Sequence, residues 1–209
     1  MKILITGNDT DIGKTVVAKF LIQSFLKKGI SVQYCKPIQC GLSDEGEMDE
    51  DLTKTKDPLF QSKTLLYFEQ PIAPLDAAAN KNYNIDLSFM FEAINQFTAD
   101  VKIFEGSGGI AVPIDSSNRD WADLANLWSI DFTVLVIENR LGSINQARLT
   151  GEYAWQRGLH SGFFLNTKKP INQLVEQSNL KALQNQNIPL WAILGYQQEK
   201  LIMSNFPWN

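Results

Sequence analysis

The stretch Gly7-Asn8-Asp9-Thr10-Asp11-Ile12-Gly13-Lys14-Thr15 holds the residue types needed to bind a polyphosphate. It lies between an apolar run at residues 2–6, which reads as a buried strand, and a helical pattern over residues 13–28 that Gly29 stops. A loop at such a junction aims successive backbone N–H groups and the positive end of the helix dipole at one concavity. The Lys14 ammonium then reaches the β/γ-phosphate oxygens, and the Thr15 hydroxyl is placed to ligate Mg²⁺. Five residues separate Gly7 from Gly13, one more than in the usual phosphate loop. A tight βα turn that needs glycine would explain the same glycines without a ligand.

Around this loop, apolar runs of strand length alternate with helical periodicity, the signature of a parallel sheet covered by helices. Strands are expected at residues 31–36, 101–105, 132–137 and 162–166, with a short one near Leu190. Leu87, Met90, Phe91, Ile94 and Phe97 recur at helical spacing, so Asp86 is expected to open a helix with that stripe in the core. Further helices are expected over residues 143–157 and 172–183. The fold class is α/β, and the whole chain, 1–209, reads as one domain. Residues 197–209 carry no readable pattern.

The 209 residues include 19 Lys+Arg, 23 Asp+Glu, one His and two Cys, for a formal charge of −4. That balance leaves no broad basic surface for a nucleic-acid backbone. No apolar run reaches the roughly 20 residues that span a bilayer, and nothing resembles an export signal, so a cytoplasmic protein is expected. Residues 44–57 hold seven acids and two lysines, or −5, leaving 17 basic and 16 acidic residues elsewhere. A solvated loop is the plain reading of that segment; carboxylates facing a cation are the sharper one. Cys35 and Cys40 form neither a disulfide framework nor a CxxC metal pair. The lone histidine, His160, falls between a helix and a strand, where a surface or helix-end place is expected, and Cys40 has no adjacent base to make it a nucleophile.

Taken together, five segments make the chain resemble the dethiobiotin synthetases. Gly7-x-Asp9-Thr10-x-x-Gly13-Lys14-Thr15 is similar to their lengthened phosphate loop. Lys36-Pro37-Ile38-Gln39-Cys40-Gly41 resembles their Lys-Pro segment after the second strand, and Tyr67-Phe68 with Pro71 and Ala73-Pro74 resembles their Tyr-x-Phe stretch. Glu105-Gly106-Ser107-Gly108-Gly109, followed by Val112-Pro113, is similar to Glu-Gly-Ala-Gly-Gly, and Leu141-Gly142-Ser143-Ile144-Asn145 to Leu-Gly-x-Ile-Asn. Asn166 ends its strand as the family's base-reading asparagine does. The likeness spans residues 2–166. The chain departs from the pattern at Asn8 (usually Thr), Cys40 (usually Ser or Thr), Leu75 (usually His) and over residues 190–195.

The resemblance implies a three-layer P-loop NTPase fold with a mostly parallel sheet. It also implies an ATP- and Mg²⁺-dependent ligase that converts diaminopelargonate and CO₂ to dethiobiotin through a carbamate and a carbamic-phosphoric anhydride. Lys14, Lys36 and Thr10 are then the catalytic candidates. Asp9, Thr10, Asp11, Ile12, Gly13, Lys14, Thr15 and Val16 would hold the nucleotide's phosphates, with Asn166 at its base. Thr15, Glu105 and Asp51 would hold Mg²⁺, although the local pattern leaves Asp49 open as the alternative to Asp51. Thr10, Lys36, Cys40 and Gly108 would touch the substrate. Its carboxylate would be held by Leu141, Gly142, Ser143, Ile144 and Asn145 of a second subunit, making the active site a property of a homodimer.

Each role has a plainer counterpart. Lys36 could snorkel to solvent, Glu105 could form a surface salt bridge, Thr10 could stabilise its own loop, and Ser143 or Asn145 could merely cap a helix. Two other functions share this pattern: a nucleotide switch of the partition or metal-insertion ATPase type, and a ligase for another amine. A GTPase switch is disfavoured, because Asn166-Thr167-Lys168-Lys169 lacks the aspartate that reads guanine.

Overall fold

The computed structural model describes residues 1–41, 56–96, 98–185 and 187–208. Strand β1 (Lys2–Gly7) runs into the loop and then α1 (Lys14–Leu26), which returns the chain to β2 (Val32–Cys40) and its neighbour β3 (Phe60–Phe68). Helices α2 (Pro74–Asn80) and α3 (Leu87–Asn95) lead to β4 (Val101–Glu105). Beyond α4 (Trp121–Leu127) come β5 (Phe132–Glu138), α5 (Ser143–Gln156), β6 (Ser161–Asn166), α6 (Gln173–Gln184), β7 (Leu190–Leu194) and β8 (Leu201–Ser204). The sheet order is β3-β2-β4-β1-β5-β6-β7-β8, parallel throughout except that β8 is antiparallel to β7.

The order of strands determines where chemistry can occur. The chain leaves β1 toward β2 on one side and later places β5 on the other, so the loop after β1 emerges where the winding reverses. In open parallel sheets that crevice, at the carboxyl ends of the strands, is where ligands bind. Gly7, Cys40, Glu105, Glu138 and Asn166 end their strands along this same edge.

Alternation along the strands divides the core. Ile3, Ile5, Tyr34, Ile103, Val134 and Val136 face α1, while Leu4, Cys35, Phe104, Leu135 and Ile137 face the helices of the other layer. Toward the C-terminal strands the α1 layer is completed by Phe206 and Trp208, which gather with Trp191 and Phe132. The expected start of α3 is borne out, because the Asp86 carboxylate accepts from the N–H groups of Ser88 and Phe89 at 2.9 and 3.0 Å. Phe97, placed on the same stripe by its spacing, lies outside the described residues.

Three differences from the sequence reading bear on the site. The second strand does not stop at Lys36 but continues to Cys40, because β3 pairs with it as far as Cys40 opposite Phe68. The segment after β4 contains α4, whose start is fixed by a reciprocal capping box between Asp120 and Asp123. The chain end, without readable pattern, supplies β8 and the two aromatic covers.

Helix α4 also braces the glycine turn that follows β4. The Trp121 ring is fully buried against Gly106, its indole N–H donates to the Ser107 carbonyl at 2.8 Å, and the Ser107 hydroxyl donates to the Ile38 carbonyl. The tips of β2 and β4 are thereby tied together. Trp121→Phe keeps most of the packing but leaves that carbonyl without the indole, so it is expected to lower unfolding stability by about 1–3 kcal/mol in urea titration. A change within about 0.5 kcal/mol would show that packing alone holds the turn.

Candidate active site

At the carboxyl edge a cleft of about 790 Å³ opens between the loop after β1, the ends of β2 and β4, and the start of α2. Thr10, Lys14, Thr15, Lys36, Cys40 and Glu105 line it, as do Asp11, Gly13, Val16 and Gly108. The sequence-based candidates of the first strand, second strand and glycine turn are therefore brought together.

The loop is shaped by close approach. Gly13 sits at φ 93°, and a β-carbon there would come within 2.1 Å of the Asn166 amide nitrogen. Gly7 is pressed as closely, at 2.2 Å from the Val136 carbonyl. Asn166 donates to the Ile12 carbonyl at 2.9 Å, and Lys168 donates to the Asp11 carbonyl. A carbonyl and the N–H of the next residue point in opposite directions across a planar peptide. Holding these two carbonyls on the β6 side therefore turns the N–H groups of Ile12 and Gly13 the other way, which suits an anion at the start of α1. The Ile12 side chain itself is buried in the core, so only its backbone is available.

Lys14, the first residue of α1, donates to the Asp9 carbonyl at 2.6 Å. Burial pushes its pKa down to about 8, against the attraction of Glu105 and with the repulsion of Lys36 adding to the fall. The Asp9 carboxylate accepts from the Thr10 N–H at 2.7 Å.

Glu105 lies at the centre of the polar residues. Its side chain is only 2% exposed, which rules out the surface salt bridge left open by the sequence. One oxygen, Oε1, accepts from the Thr15 hydroxyl at 2.8 Å and lies 3.2 Å from the Lys36 ammonium. The other, Oε2, accepts from the Tyr34 hydroxyl at 2.9 Å. Lys36, 22% exposed, does not snorkel to bulk water but is held in the cleft by that ion pair. Two hard oxygens so close together, one hydroxyl and one carboxylate, suit Mg²⁺, which takes few protein ligands and completes its shell with phosphate and water. Among the described residues no group of three His, Cys, Asp or Glu could hold a metal. Asp51 and Asp49 lie outside the described residues.

Tyr34 and Lys168 were not anticipated. The period-2 pattern does put Tyr34 on the same strand face as Lys36, but an aromatic residue in a strand reads as core. Leu75 falls in the first turn of α2 and does not line the cleft, whereas Pro74 does.

Residues 141–145 lie elsewhere. Leu141, Gly142, Ile144 and Asn145 line a second cavity, of about 900 Å³, with Trp155 and Leu174. Ser143 does not line it. Its hydroxyl lies 2.5 and 2.6 Å from the carbonyls of Glu138 and Arg140 and accepts from the Arg140 N–H, so it is spent on the turn. Nor does it cap α5, whose N-cap is Gly142 with no side-chain bond.

A first strand that enters a helix through a Gly-Lys-Thr loop, at the winding reversal of a parallel sheet, defines a P-loop nucleotide-binding protein. Solved structures bear out the fold. The ParA family ATPase from Chlorobium tepidum TLS gives a TM-score of 0.57 at 14% identity, covering 94% of this chain and 85% of that one. The MinC:MinD cell division protein complex of Aquifex aeolicus gives 0.58 at 13%, covering 95% and 82%. At such identities the likeness is one of fold alone.

Sequence relatives go further. Residues 1–197 match the family described as an AAA domain. The chain is 30% identical over 200 residues to the ATP-dependent dethiobiotin synthetase BioD of Geobacillus sp. (strain WCH70), covering 92% of this chain and 83% of that one. It is 29% identical over 214 residues to the enzyme of the same name from Thermodesulfovibrio yellowstonii, covering 93% and 88%. The chain belongs to the dethiobiotin synthetase family and is an ATP-dependent ligase of biotin biosynthesis.

Cys40 allows a direct check of the cleft. Burial pushes its thiol up to about 11, only partly offset by the Lys36 charge. Its alkylation by iodoacetamide is expected to rise about tenfold per pH unit from pH 7 to 10, since only the thiolate reacts. A plateau below pH 9 would contradict the buried environment.

Proposed function

We propose that the cleft joins CO₂ to diaminopelargonate and closes the cyclic urea of dethiobiotin, driven by ATP. The observation that carries this reading is the buried cluster of Lys36, Glu105 and Thr15, which shares one cleft with Lys14 at the head of α1. One substrate amine adds to CO₂ and loses a proton, giving a carbamate. A carbamate oxygen attacks the γ-phosphorus of ATP, and ADP leaves. The second amine then attacks the carbon of the anhydride, and inorganic phosphate departs as the ring closes.

The difficulty in this sequence is charge, because an anionic carbamate must approach a triphosphate. Fixed positive groups that sit between the two stabilise that transition state without reorganising. Lys14 takes the phosphate side and Lys36 the carbamate side, held there by Glu105. Thr10 faces the reacting amine, while Cys40 and Gly108 line the substrate end. Backbone N–H groups from Asp9 to Val16 hold the phosphates, and Asn166 keeps its amide oxygen for the base. Mg²⁺, when bound, would neutralise charge on the phosphate oxygens; Thr15 and Glu105 would hold it, with Asp51 a third candidate.

The substrate carboxylate falls to Leu141, Gly142, Ser143, Ile144 and Asn145 of a second copy of the chain, in a cytoplasmic homodimer. Leu141 and Leu174, beside the second cavity, are 80% and 75% exposed, an apolar cost that a partner surface would relieve.

The test is phosphate release from ATP with Mg²⁺ and bicarbonate, with and without diaminopelargonate, while dethiobiotin is followed by mass. Release dependent on diaminopelargonate with matching product is expected; substrate-independent hydrolysis would favour a switch ATPase. Lys36→Ala and Glu105→Ala are each expected to lower kcat/KM by about 10²–10³-fold, and full activity in either would overturn the site. Mixing Lys36→Ala with Asn145→Ala protein should restore up to about a quarter of wild-type activity, because half the dimers then carry one intact site. No recovery after subunit exchange would refute the shared site.

A further inference from the structure

Glu105 gives each of its oxygens a separate task. Strands β2 and β4 pair in a register that sets Tyr34 opposite Ile103, and two residues further on Lys36 stands beside Glu105. All of these side chains project toward α1, where Thr15 lies in the first turn. The Tyr34 ring is packed in that apolar layer and only 6% exposed, so its hydroxyl has a fixed place one diagonal step from the carboxylate. There it donates to Oε2 at 2.9 Å, and Oε1 is left to face Thr15 and Lys36.

We infer that Tyr34 is a positioning residue that restricts Glu105 to one-oxygen ligation beside Thr15, and so favours Mg²⁺ over larger cations at this site. The inference rests on the proposed Mg²⁺ site of Thr15 and Glu105. With Oε2 tied to an interior hydroxyl, the carboxylate does not turn to present both oxygens. Mg²⁺ is small, octahedral and satisfied by a single carboxylate oxygen with phosphate and water. Ca²⁺ prefers more oxygens and often takes a carboxylate through both. A partner that orients a metal ligand without touching the metal commonly changes affinity by 10–100-fold.

The test is the binding of Mg²⁺ and Ca²⁺ to the protein loaded with a non-hydrolysable ATP analogue, by displacement of Mn²⁺ followed by electron paramagnetic resonance. Tyr34→Phe removes one oxygen atom and keeps the ring. It is expected to weaken Mg²⁺ binding about tenfold and to lower the Mg²⁺-to-Ca²⁺ preference, with metal-free nucleotide affinity unchanged. A packing defect alone would not produce that selectivity change. Glu105→Asp reaches the same disconnection from the other side, by drawing the carboxylate back while Tyr34 and its core stay intact. The same loss of preference is expected there, and the double variant should lose little beyond either single one. Unchanged preference in both variants, or additive losses in the double, would overturn the role of Tyr34. If Glu105→Gln leaves Mn²⁺ binding intact, the Mg²⁺ site itself is wrong, a result distinct from the failure of Tyr34.

Discussion

The site is organised around one buried negative charge. A carboxylate taken out of water must be met by donors or a cation, and Glu105 is met by three side chains from different parts of the chain. Thr15 comes from the start of α1, and Tyr34 and Lys36 from alternate positions of β2. Satisfying Glu105 therefore fixes the phosphate loop, the second strand and the fourth strand relative to one another. The polar groups of the cleft do not need separate placement, since the same bonds that make the charge tolerable also deliver Lys36 and Thr15 to it.

The loop before α1 solves a second problem, that of directing backbone donors at empty space. A glycine at φ 93° with a neighbouring amide 2.1 Å from where a β-carbon would stand leaves no choice of residue at position 13. Asp11, also at positive φ (57°), holds an unfavourable backbone conformation whose carbonyl is engaged by Lys168. Donors from the end of β6 and the residues after it thus hold the loop's carbonyls and keep its shape. This explains why a strand remote in sequence ends in Asn166 at the sheet's ligand edge.

Much of this was legible in the residues. The fourth strand was read with its observed bounds, and β1, β5, β6 and α5 within a residue or two, because fully buried parallel strands are apolar on both faces and helices show their own period. The phosphate loop and Glu105 were legible because they stand at strand ends, whereas Lys36, expected at one, lies in the middle of β2. What was missed has a common cause, in that partners decide it. Strand β3 carries Gln61, Ser62, Lys63 and Thr64 in its middle, as a sheet edge tolerates, and only pairing with β2 makes it a strand. Strand β8 likewise depends on β7, and Tyr34 acquires its polar role from Glu105, 71 residues away.

Ser143 follows the same logic in reverse. A serine after a glycine at the head of a helix offers donors to a ligand or bonds to its own turn, and sequence cannot rank the two. The carbonyls of Glu138 and Arg140 converge on it, so the hydroxyl is consumed inside and the turn becomes rigid. Rigidity there presents the neighbouring residues Leu141, Gly142, Ile144 and Asn145 at the second cavity. A side chain spent on its own turn can thus still determine which of its neighbours face a cavity.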